Sequence, residues 1–246
     1  MGFVRIDLAA AVLALGCAVA APASAEMVLV ELFTSQGCSA CPPADALLAE
    51  LSEKEDVIAL AFHVDYWDAF GWSDPFASPE FSRRQEDYGR RFGVRRYTPQ
   101  MIVNASAEMV GHERRAVGKA VRAAMRDWRP LVRVSLSPPG EGRKGRVSLS
   151  ALTEGAPVAF GEATVWLAGY DSSSEMLVEG GQNAERRLSY CNIVREWRPL
   201  AVWNGEAPLS LEFESPEGDG GFAVIVQEGG VGRILGAAQT RHQPEP

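Results

Sequence analysis

The chain has 246 residues, of which 32 are Asp or Glu and 24 are Lys or Arg, so its formal net charge is −8. No cluster of Lys and Arg offsets that charge, which makes the chain a poor candidate for nucleic-acid binding. Hydrophobic residues make up 46% of the sequence, and this share favours a folded globular protein over a disordered one. The length is enough for one large domain or two modest domains.

The first 25 residues have the layout of a secretory signal peptide. A single basic residue, Arg5, precedes an apolar run over residues 8–21, and Ala23-Ser24-Ala25 predicts cleavage after Ala25. The run is too short to favour a membrane span, so we expect a periplasmic or secreted protein with no membrane span once the signal is removed. A lipoprotein anchored through Cys17 is a minor alternative. Disulfides persist in exported compartments.

A Cys-x-x-Cys pair follows the first predicted strand. Residues 28–33 form an apolar run typical of a buried strand, and Pro42-Pro43 is tolerated only in the first turn of a helix. Cys38 and Cys41 are therefore expected where a strand leads into a helix. Unpaired amides at that helix N-terminus favour an anion, so we expect Cys38 to have a lowered pKa and to attack as a thiolate, with Cys41 as the resolving thiol. Asp45, one turn into the helix, complements the helix dipole and needs no catalytic role.

Three other interpretations of the cysteine pair stay open. A structural disulfide here closes a loop of only four residues, for which the chain-entropy model gives a stabilisation of roughly 2 kcal/mol. A zinc site needs two further ligands, and the only histidines are His63, His112 and His242. Two unrelated buried thiols would not require the strand and the prolines around them. A Cys-x-x-Cys beside a strand-helix-strand pattern is more typical of a redox motif.

The second predicted strand, residues 57–64, ends at polar residues. His63 or Asp65 could carry the proton that Cys41 loses before it resolves a mixed disulfide. Alternatively, His63 is a half-buried residue of the strand with no chemical role. Cys38, Cys41 and His63 together would also suit a soft copper site.

An aromatic loop and a helix come next. Trp67 and Trp72 lie in the loop, where we expect them to cap the core or, alternatively, to line a binding groove. Ser78 as N-cap and Pro79 at the first helical position predict a helix that Gly93 closes. The predicted elements that follow are strands at 100–103 and 108–111 and a helix at 114–128. The predicted order is therefore β-α-β-α-β-β-α.

That order, the Cys-x-x-Cys pair at the first helix and a Thr-Pro directly before the third strand together resemble the thioredoxin fold. The resemblance implies that Cys38 attacks, that Cys41 resolves, and that Pro99 is a cis-proline beside the disulfide. Thr98 would then offer backbone groups to an extended substrate segment. The runs Phe-Thr-Ser-Gln-Gly-Cys-Ser and His-Val-Asp-Tyr-Trp-Asp, with the second half of the chain, resemble the exported bacterial domain-of-unknown-function family 1223. That resemblance implies a fold and a compartment but no substrate.

From residue 130 the sequence changes to short apolar runs of strand length. Turn signals separate them, including Pro138-Pro139-Gly140 and Gly169-Tyr170-Asp171. Regular spacing predicts a mainly β, sandwich-like domain at 130–246, after a signal peptide at 1–25 and an α/β thioredoxin-like domain at 26–129. Cys191, in one of the later strands, is interpreted as a buried free thiol or, alternatively, as a relay that exchanges with Cys41.

We therefore expect an exported thiol-disulfide oxidoreductase that uses the redox-active Cys38–Cys41 disulfide and no other cofactor. Its expected partners are protein thiols or disulfides of the exported compartment and a redox partner protein. Two other classes stay open, since fold does not fix function. One is a module of the same fold that binds copper or another soft metal, and the other is a non-catalytic interaction domain.

Overall fold

The computed structural model describes residues 27–140, 144–152 and 160–241. The predicted signal peptide and Cys17 lie outside the described residues. The α-helices of that part of the chain are α1 (Pro42–Ser52), α2 (Pro79–Phe92) and α3 (Arg114–Asp127). Its strands are β1 (Val28–Thr34), β2 (Val57–His63), β3 (Gln100–Val103), β4 (Ala107–Val110), β5 (Val132–Ser137), β6 (Gly145–Ala151), β7 (Ala163–Val178), β8 (Arg186–Trp203), β9 (Leu209–Phe213), β10 (Gly221–Glu228) and β11 (Ile234–Arg241). Two short 3-10 helices are Asp65–Phe70 and Gly181–Asn183.

Local sequence signals set the ends of the first two helices. α1 begins at Pro42, directly after Cys41, because proline fits the first helical turn. At the start of α2 the Ser78 hydroxyl accepts the backbone N–H of Glu80, and Gly93 ends the helix with φ +70°. The observed order β1-α1-β2-α2-β3-β4-α3 is the one that the sequence predicts.

One large sheet runs through both halves of the described chain, in the order β11-β10-β7-β8-β2-β1-β3-β4. β1 is parallel to β2 and antiparallel to β3. β8 pairs with β2 in parallel, with Ala61 opposite Ile193, and this pairing joins the second half to the first. A smaller sheet, β5-β6-β9, packs its apolar face against β7 and β10.

The second half is therefore not a sandwich separate from the first. The smaller sheet does face other strands across an apolar core, but those strands belong to the same sheet as β1 and β2. The turn predicted at Gly169-Tyr170-Asp171 is wrong because these residues continue β7, a strand of 16 residues. A Cβ at Gly169 would lie 2.1 Å from the carbonyl oxygen of Glu217, so the glycine permits a close backbone approach instead of a turn.

Side chains of β1 alternate between the two faces of the large sheet. Val30 and Leu32 pack in the core beneath α1 and α3. Leu29 and Phe33 pack on the opposite face, in the core that includes α2. The polar residue Glu31 lies on this second face and is fully buried.

Glu31 is the centre of a buried polar network that joins the two halves of the chain. Its Oε1 lies 2.6 Å from Nε of Arg84 on α2, and its Oε2 accepts the hydroxyl of Tyr88 at 2.5 Å. Arg84 also donates to Oε1 of Gln227 on β10 at 3.0 Å. We call these four side chains, Glu31, Arg84, Tyr88 and Gln227, the Glu31 cluster.

Candidate active site around the Cys38–Cys41 disulfide

Cys38 and Cys41 form a disulfide in the loop between β1 and α1, with their Cα atoms 5.4 Å apart. Cys41 is the N-cap of α1, and its carbonyl oxygen accepts the backbone N–H groups of Ala44 and Asp45. The loop before it is a tight turn in which the Cys38 N–H donates to the carbonyl of Ser35 at 3.2 Å. The cysteines therefore lie where a strand leads into a helix, as the sequence predicts.

Thr98 and Pro99 lie directly before β3 and are joined by a cis peptide bond. The Thr98 hydroxyl accepts the indole N–H of Trp67 at 2.7 Å. Trp67 thus contacts a predicted site residue while it also packs against the core on the α2 face. Trp72, the other tryptophan of the loop, donates its indole N–H to Oε1 of Gln36 beside the cysteine turn.

A segment of the second half of the chain is hydrogen-bonded to the turn that holds the buried disulfide. Cys38 is 1% exposed and Cys41 is fully buried. Nδ2 of Asn183 donates to the carbonyl oxygens of Gln36 and Cys38, both at 2.9 Å, and Oε1 of Gln182 accepts from Ser39. We call the short helix Gly181–Asn183 the disulfide cover. Sequence reasoning missed it, because more than 140 residues separate Asn183 from the cysteines.

Asp45 is a buried acid one helical turn behind Cys41. It is 5% exposed, and its Oδ1 accepts the Thr34 hydroxyl at 2.8 Å. Burial raises the pKa of Asp45 from its usual 3.8 to about 7, while His63 and the hydrogen bond from Thr34 hold it from rising further. Residues four apart on a helix share a face, so this carboxyl lies on the same side of α1 as the Cys41 side chain. Helix-dipole complementarity alone, expected from the sequence, does not account for its burial.

His63 is also buried, and its partner is Asp74. Nδ1 of His63 lies 2.7 Å from Oδ2 of Asp74, which also accepts the backbone N–H of Gln36. Burial favours a higher pKa for Asp74, but His63 and the backbone hydrogen bonds outweigh it and hold that pKa below its usual value. Nε2 of His63 has no hydrogen-bond partner within the described chain. The ring packs against Tyr190 of β8, with centroids 5.0 Å apart.

Asp45, His63, Asp74 and Tyr190 together form what we call the inner cluster. Asp65, the other candidate proton carrier, is not part of it, because its Oδ1 accepts the hydroxyl of Ser82 on α2. Asp74 was missed because nothing in the loop sequence indicates which carboxylate turns back toward His63. Helical spacing from Cys41 could have drawn attention to Asp45.

Cys191 is an unpaired, half-buried thiol beside Ser52 at the far end of α1. Burial raises its pKa to about 11, which disfavours a thiolate. Asp45, one helical turn from Cys41, is among the charged groups that act on the Cys191 thiol. The raised pKa of Cys191 therefore argues against its exchange with Cys41.

Two other features of the described chain concern a metal site and a membrane span. No group of three His, Cys, Asp or Glu side chains in residues 27–140, 144–152 and 160–241 is arranged to hold a metal ion. The alternative copper site of Cys38, Cys41 and His63 therefore gains no support in the disulfide form. Within the same ranges, no helix has the length and apolar character needed to cross a membrane.

The fold and site define a mixed α/β protein with a large sheet and a Cys-x-x-Cys disulfide at a helix N-terminus. The family described as Protein of unknown function (DUF1223) matches residues 29–227, and the chain belongs to that family.

Two solved structures are similar to this chain. A crystal structure of a structural-genomics protein from Agrobacterium tumefaciens is 31% identical, with a TM-score of 0.72 over 89% of this chain and 97% of that one. HBP35 of Porphyromonas gingivalis is 13% identical, with a TM-score of 0.58 over 89% of this chain and 76% of that one, and the likeness is one of fold alone. A comparison with curated proteins gives no match.

Proposed function

We propose that the protein is a thiol-disulfide oxidoreductase whose reacting atoms are the sulfurs of Cys38 and Cys41. The observation that carries this proposal is the combination of that disulfide with Asp45, a buried carboxyl one helical turn away whose pKa is about 7. A carboxyl that exchanges its proton near neutral pH suits the proton transfers that accompany thiol-disulfide exchange. A disulfide that served stability alone would not need such a neighbour.

We infer further that residues 26–129 are a thioredoxin-like unit. Three features support this inference: the strand order β2-β1-β3-β4, the disulfide at the N-terminus of α1, and the cis bond between Thr98 and Pro99 before β3. In such a unit the backbone at Thr98 receives an extended substrate segment beside Cys38. The proposed compartment is the periplasm or the exterior, because residues 1–25 have the sequence of a secretory signal.

Exchange from the oxidised pair begins when a substrate thiolate attacks the sulfur of Cys38. A mixed disulfide forms between substrate and Cys38, and the Cys38–Cys41 bond breaks with its electron pair on Cys41. The Cys41 thiolate then takes the proton of Asp45. A second substrate thiolate attacks the substrate sulfur of the mixed disulfide and releases Cys38. The substrate dithiol is thereby oxidised, and the cysteine pair is reduced by two electrons.

The same residues serve the reverse reaction. The Cys38 thiolate attacks a substrate disulfide, and the Asp45 carboxylate takes the proton of Cys41. The Cys41 thiolate then attacks the Cys38 sulfur, which restores the disulfide and releases the reduced substrate. His63 acts here as a positioning residue. It is bonded to Asp74 and lowers the pKa of Asp45, so it keeps that pKa near neutrality.

Partners of this enzyme are protein thiols or disulfides of the exported compartment and a protein that restores its redox state. Because Cys38 is 1% exposed, the disulfide cover has to move before a protein thiolate reaches the sulfur. The hydrogen bonds of Asn183 to Gln36 and Cys38 hold the cover closed. The second half of the chain thus controls access to the cysteines.

The first test is the reduction potential of the pair in the chain that begins at residue 26. The protein is equilibrated with glutathione buffers, free thiols are alkylated, and the products are counted by mass. A potential between about −270 and −120 mV supports an exchange enzyme. A potential below about −300 mV identifies a structural bridge and contradicts the proposal.

A second test separates the proton acceptor from the cysteines. Asp45→Asn is expected to slow exchange with a model dithiol by roughly 100-fold, the lower end of what positioned proton transfer contributes. The inflection near pH 7 in the wild-type rate profile, set by the pKa of Asp45, is expected to disappear. Asp127→Asn, at an exposed position on α3, is the matched control and keeps the wild-type profile. An unchanged profile in Asp45→Asn would remove the carboxyl from the mechanism.

A further inference from the structure

A second concave feature lies between α1 and the strands β7 and β8, outside the disulfide and its cover. It is a cleft of about 510 Å³, a volume within the range of small-molecule sites. Its apolar lining comes from Pro42, Ala46, Ala49 and Leu188. We call it the α1–β8 cleft.

Tyr190 lines this cleft, and its buried hydroxyl has no partner among the described residues. Tyr190 is 4% exposed, and its hydroxyl makes no hydrogen bond within the described residues. Buried polar groups in folded proteins are almost always paired. A phenol hydroxyl can donate one hydrogen bond, so an acceptor group of a bound molecule would satisfy it.

The cleft also has a cationic group at its edge. Arg187 is exposed and lines the cleft, and its guanidinium has no ion pair or hydrogen bond among the residues that the structure describes. Glu175, on the neighbouring strand β7, accepts the hydroxyl of Ser189. Burial raises the pKa of Asp45, the carboxyl that lines the cleft, to about 7, so it repels an anion less in its protonated form below that pH than in its ionised form above it.

We propose that the α1–β8 cleft binds a small organic acid with an apolar body and one anionic group. The apolar body packs between Ala46, Ala49 and Leu188, and the Tyr190 hydroxyl donates a hydrogen bond to an oxygen of the ligand. The anionic group pairs with Arg187. The site shares Asp45 with the proposed thiol-disulfide exchange, but binding itself needs no reaction at Cys38 or Cys41.

Two fluorescent probes that differ in charge test this assignment. Anilinonaphthalene sulfonate carries an apolar body and a sulfonate, and phenylnaphthylamine is its counterpart without the sulfonate. We expect the sulfonate probe to bind the folded protein with one-to-one stoichiometry, and up to about fivefold more tightly than the neutral probe, as expected for one partly exposed ion pair. Equal affinity for the two probes, or an absence of saturable binding, would overturn the proposal.

Three variants locate the bound probe. Arg187→Gln is expected to weaken the sulfonate probe about fivefold and leave the neutral probe unchanged. Tyr190→Phe weakens the sulfonate probe through the lost hydrogen bond, and Ala46→Trp fills the cleft and weakens both probes. Arg115→Gln, at an exposed position on α3, is the control and leaves both affinities unchanged. Wild-type affinities in all three cleft variants would mean that the probe binds elsewhere, and would overturn the proposal.

Discussion

Two buried polar clusters lie on opposite faces of the large sheet, and they differ in how completely their atoms are paired. In the Glu31 cluster, on the α2 face, Glu31, Arg84 and Tyr88 bond to one another at distances of 3.1 Å or less. In the inner cluster, on the α1 face, the hydroxyl of Tyr190 and Nε2 of His63 have no partner within the described chain. The inner cluster therefore bears a cost in stability that the Glu31 cluster avoids.

The two clusters also differ in their position relative to the disulfide. The Glu31 cluster joins β1, α2 and β10 and lies away from the disulfide, so its pairing serves to hold the two halves of the chain together. The inner cluster lies directly behind the disulfide, and it contains an acid whose pKa is about 7. Incomplete pairing and a perturbed pKa beside a disulfide are typical of functional sites.

Glu31→Gln should have the largest effect on stability. The variant leaves the buried guanidinium of Arg84 without its counter-ion, and breaking a buried pair in this way costs about 3–5 kcal/mol. The measurement is the midpoint of urea unfolding at neutral pH. The reduction potential of Cys38–Cys41 is expected to stay at its wild-type value, because the cluster lies on the other face of the sheet.

The control for this prediction is Glu50→Gln. Glu50 pairs with Arg114 at the surface, where solvent screens the interaction, so its unfolding midpoint should stay close to that of the wild type. Equal midpoints for the two variants would show that the Glu31 cluster does not stabilise the fold as described.

Asp45→Asn should have the next largest effect on stability, and the sign of this effect depends on pH. In the unfolded chain Asp45 titrates near 3.8 and in the folded chain near 7. Between these values the folded state binds the additional proton, so the contribution of Asp45 to wild-type stability is present at low pH and is lost as pH rises through this window. Above pH 7 we expect Asp45→Asn to be more stable than the wild type by up to about 4 kcal/mol.

Urea unfolding of both proteins at pH 4, 5.5 and 8 measures this difference. Asp74 provides a contrast of opposite sign, because its pKa is lowered in the folded protein and its ionised form therefore stabilises the fold above its ordinary pKa. Asp74→Asn should accordingly lower stability near neutral pH. A stability difference between Asp45→Asn and wild type that does not change from pH 4 to 8 would contradict the raised pKa of Asp45.

Asn183→Ala tests the disulfide cover. The variant removes the two hydrogen bonds to Gln36 and Cys38, each worth about 1 kcal/mol or more. We expect a small thiol to reduce the disulfide about tenfold faster, because the cover opens more often. Asn104→Ala removes another buried amide, whose Oδ1 accepts the N–H of Leu29, and should lower stability without accelerating reduction. Equal acceleration in both variants would indicate general loosening of the fold instead of a moving cover.

Features fixed by neighbouring residues could be predicted from the sequence. Pro42 predicts the start of α1, Ser78 and Gly93 predict the ends of α2, and the sequence places the Cys-x-x-Cys pair between a strand and a helix, as observed. Each of these features depends on residues within about one helical turn of one another, so the local residue types are enough to predict it.

Features that depend on distant contacts could not be predicted in this way. The local sequence predicts a turn at Gly169 because it contains no sign of the approach of Glu217, which lies in the loop between β9 and β10. The pairing of β8 with β2 joins residues that are far apart in the sequence, Ala61 and Ile193. Asn183 and Asp74 reach the site through tertiary contacts, and their neighbours in sequence give no sign of it.

Tyr190→Phe should have the smallest effect on stability. It gives the most direct comparison between the inner cluster and the Glu31 cluster. The variant removes a buried hydroxyl that has no partner in the described chain, so stability should change by less than about 0.5 kcal/mol. Tyr88→Phe is the matched control on the other face, because the Tyr88 hydroxyl donates to Glu31 and accepts from Gln227. That loss leaves charged and polar partners unpaired and should cost about 1–3 kcal/mol.

Urea unfolding in ligand-free buffer compares the stability lost in Tyr190→Phe with that lost in Tyr88→Phe. A large gap between them would establish that the two faces differ in pairing, and that the Tyr190 hydroxyl is free to serve a ligand or a proton transfer. If Tyr190→Phe instead loses as much stability as Tyr88→Phe, then its hydroxyl is bonded in solution. Nε2 of His63 would in that case remain unpaired among the described residues, and the stability cost assigned to the inner cluster would have to come from this atom and from Asp45.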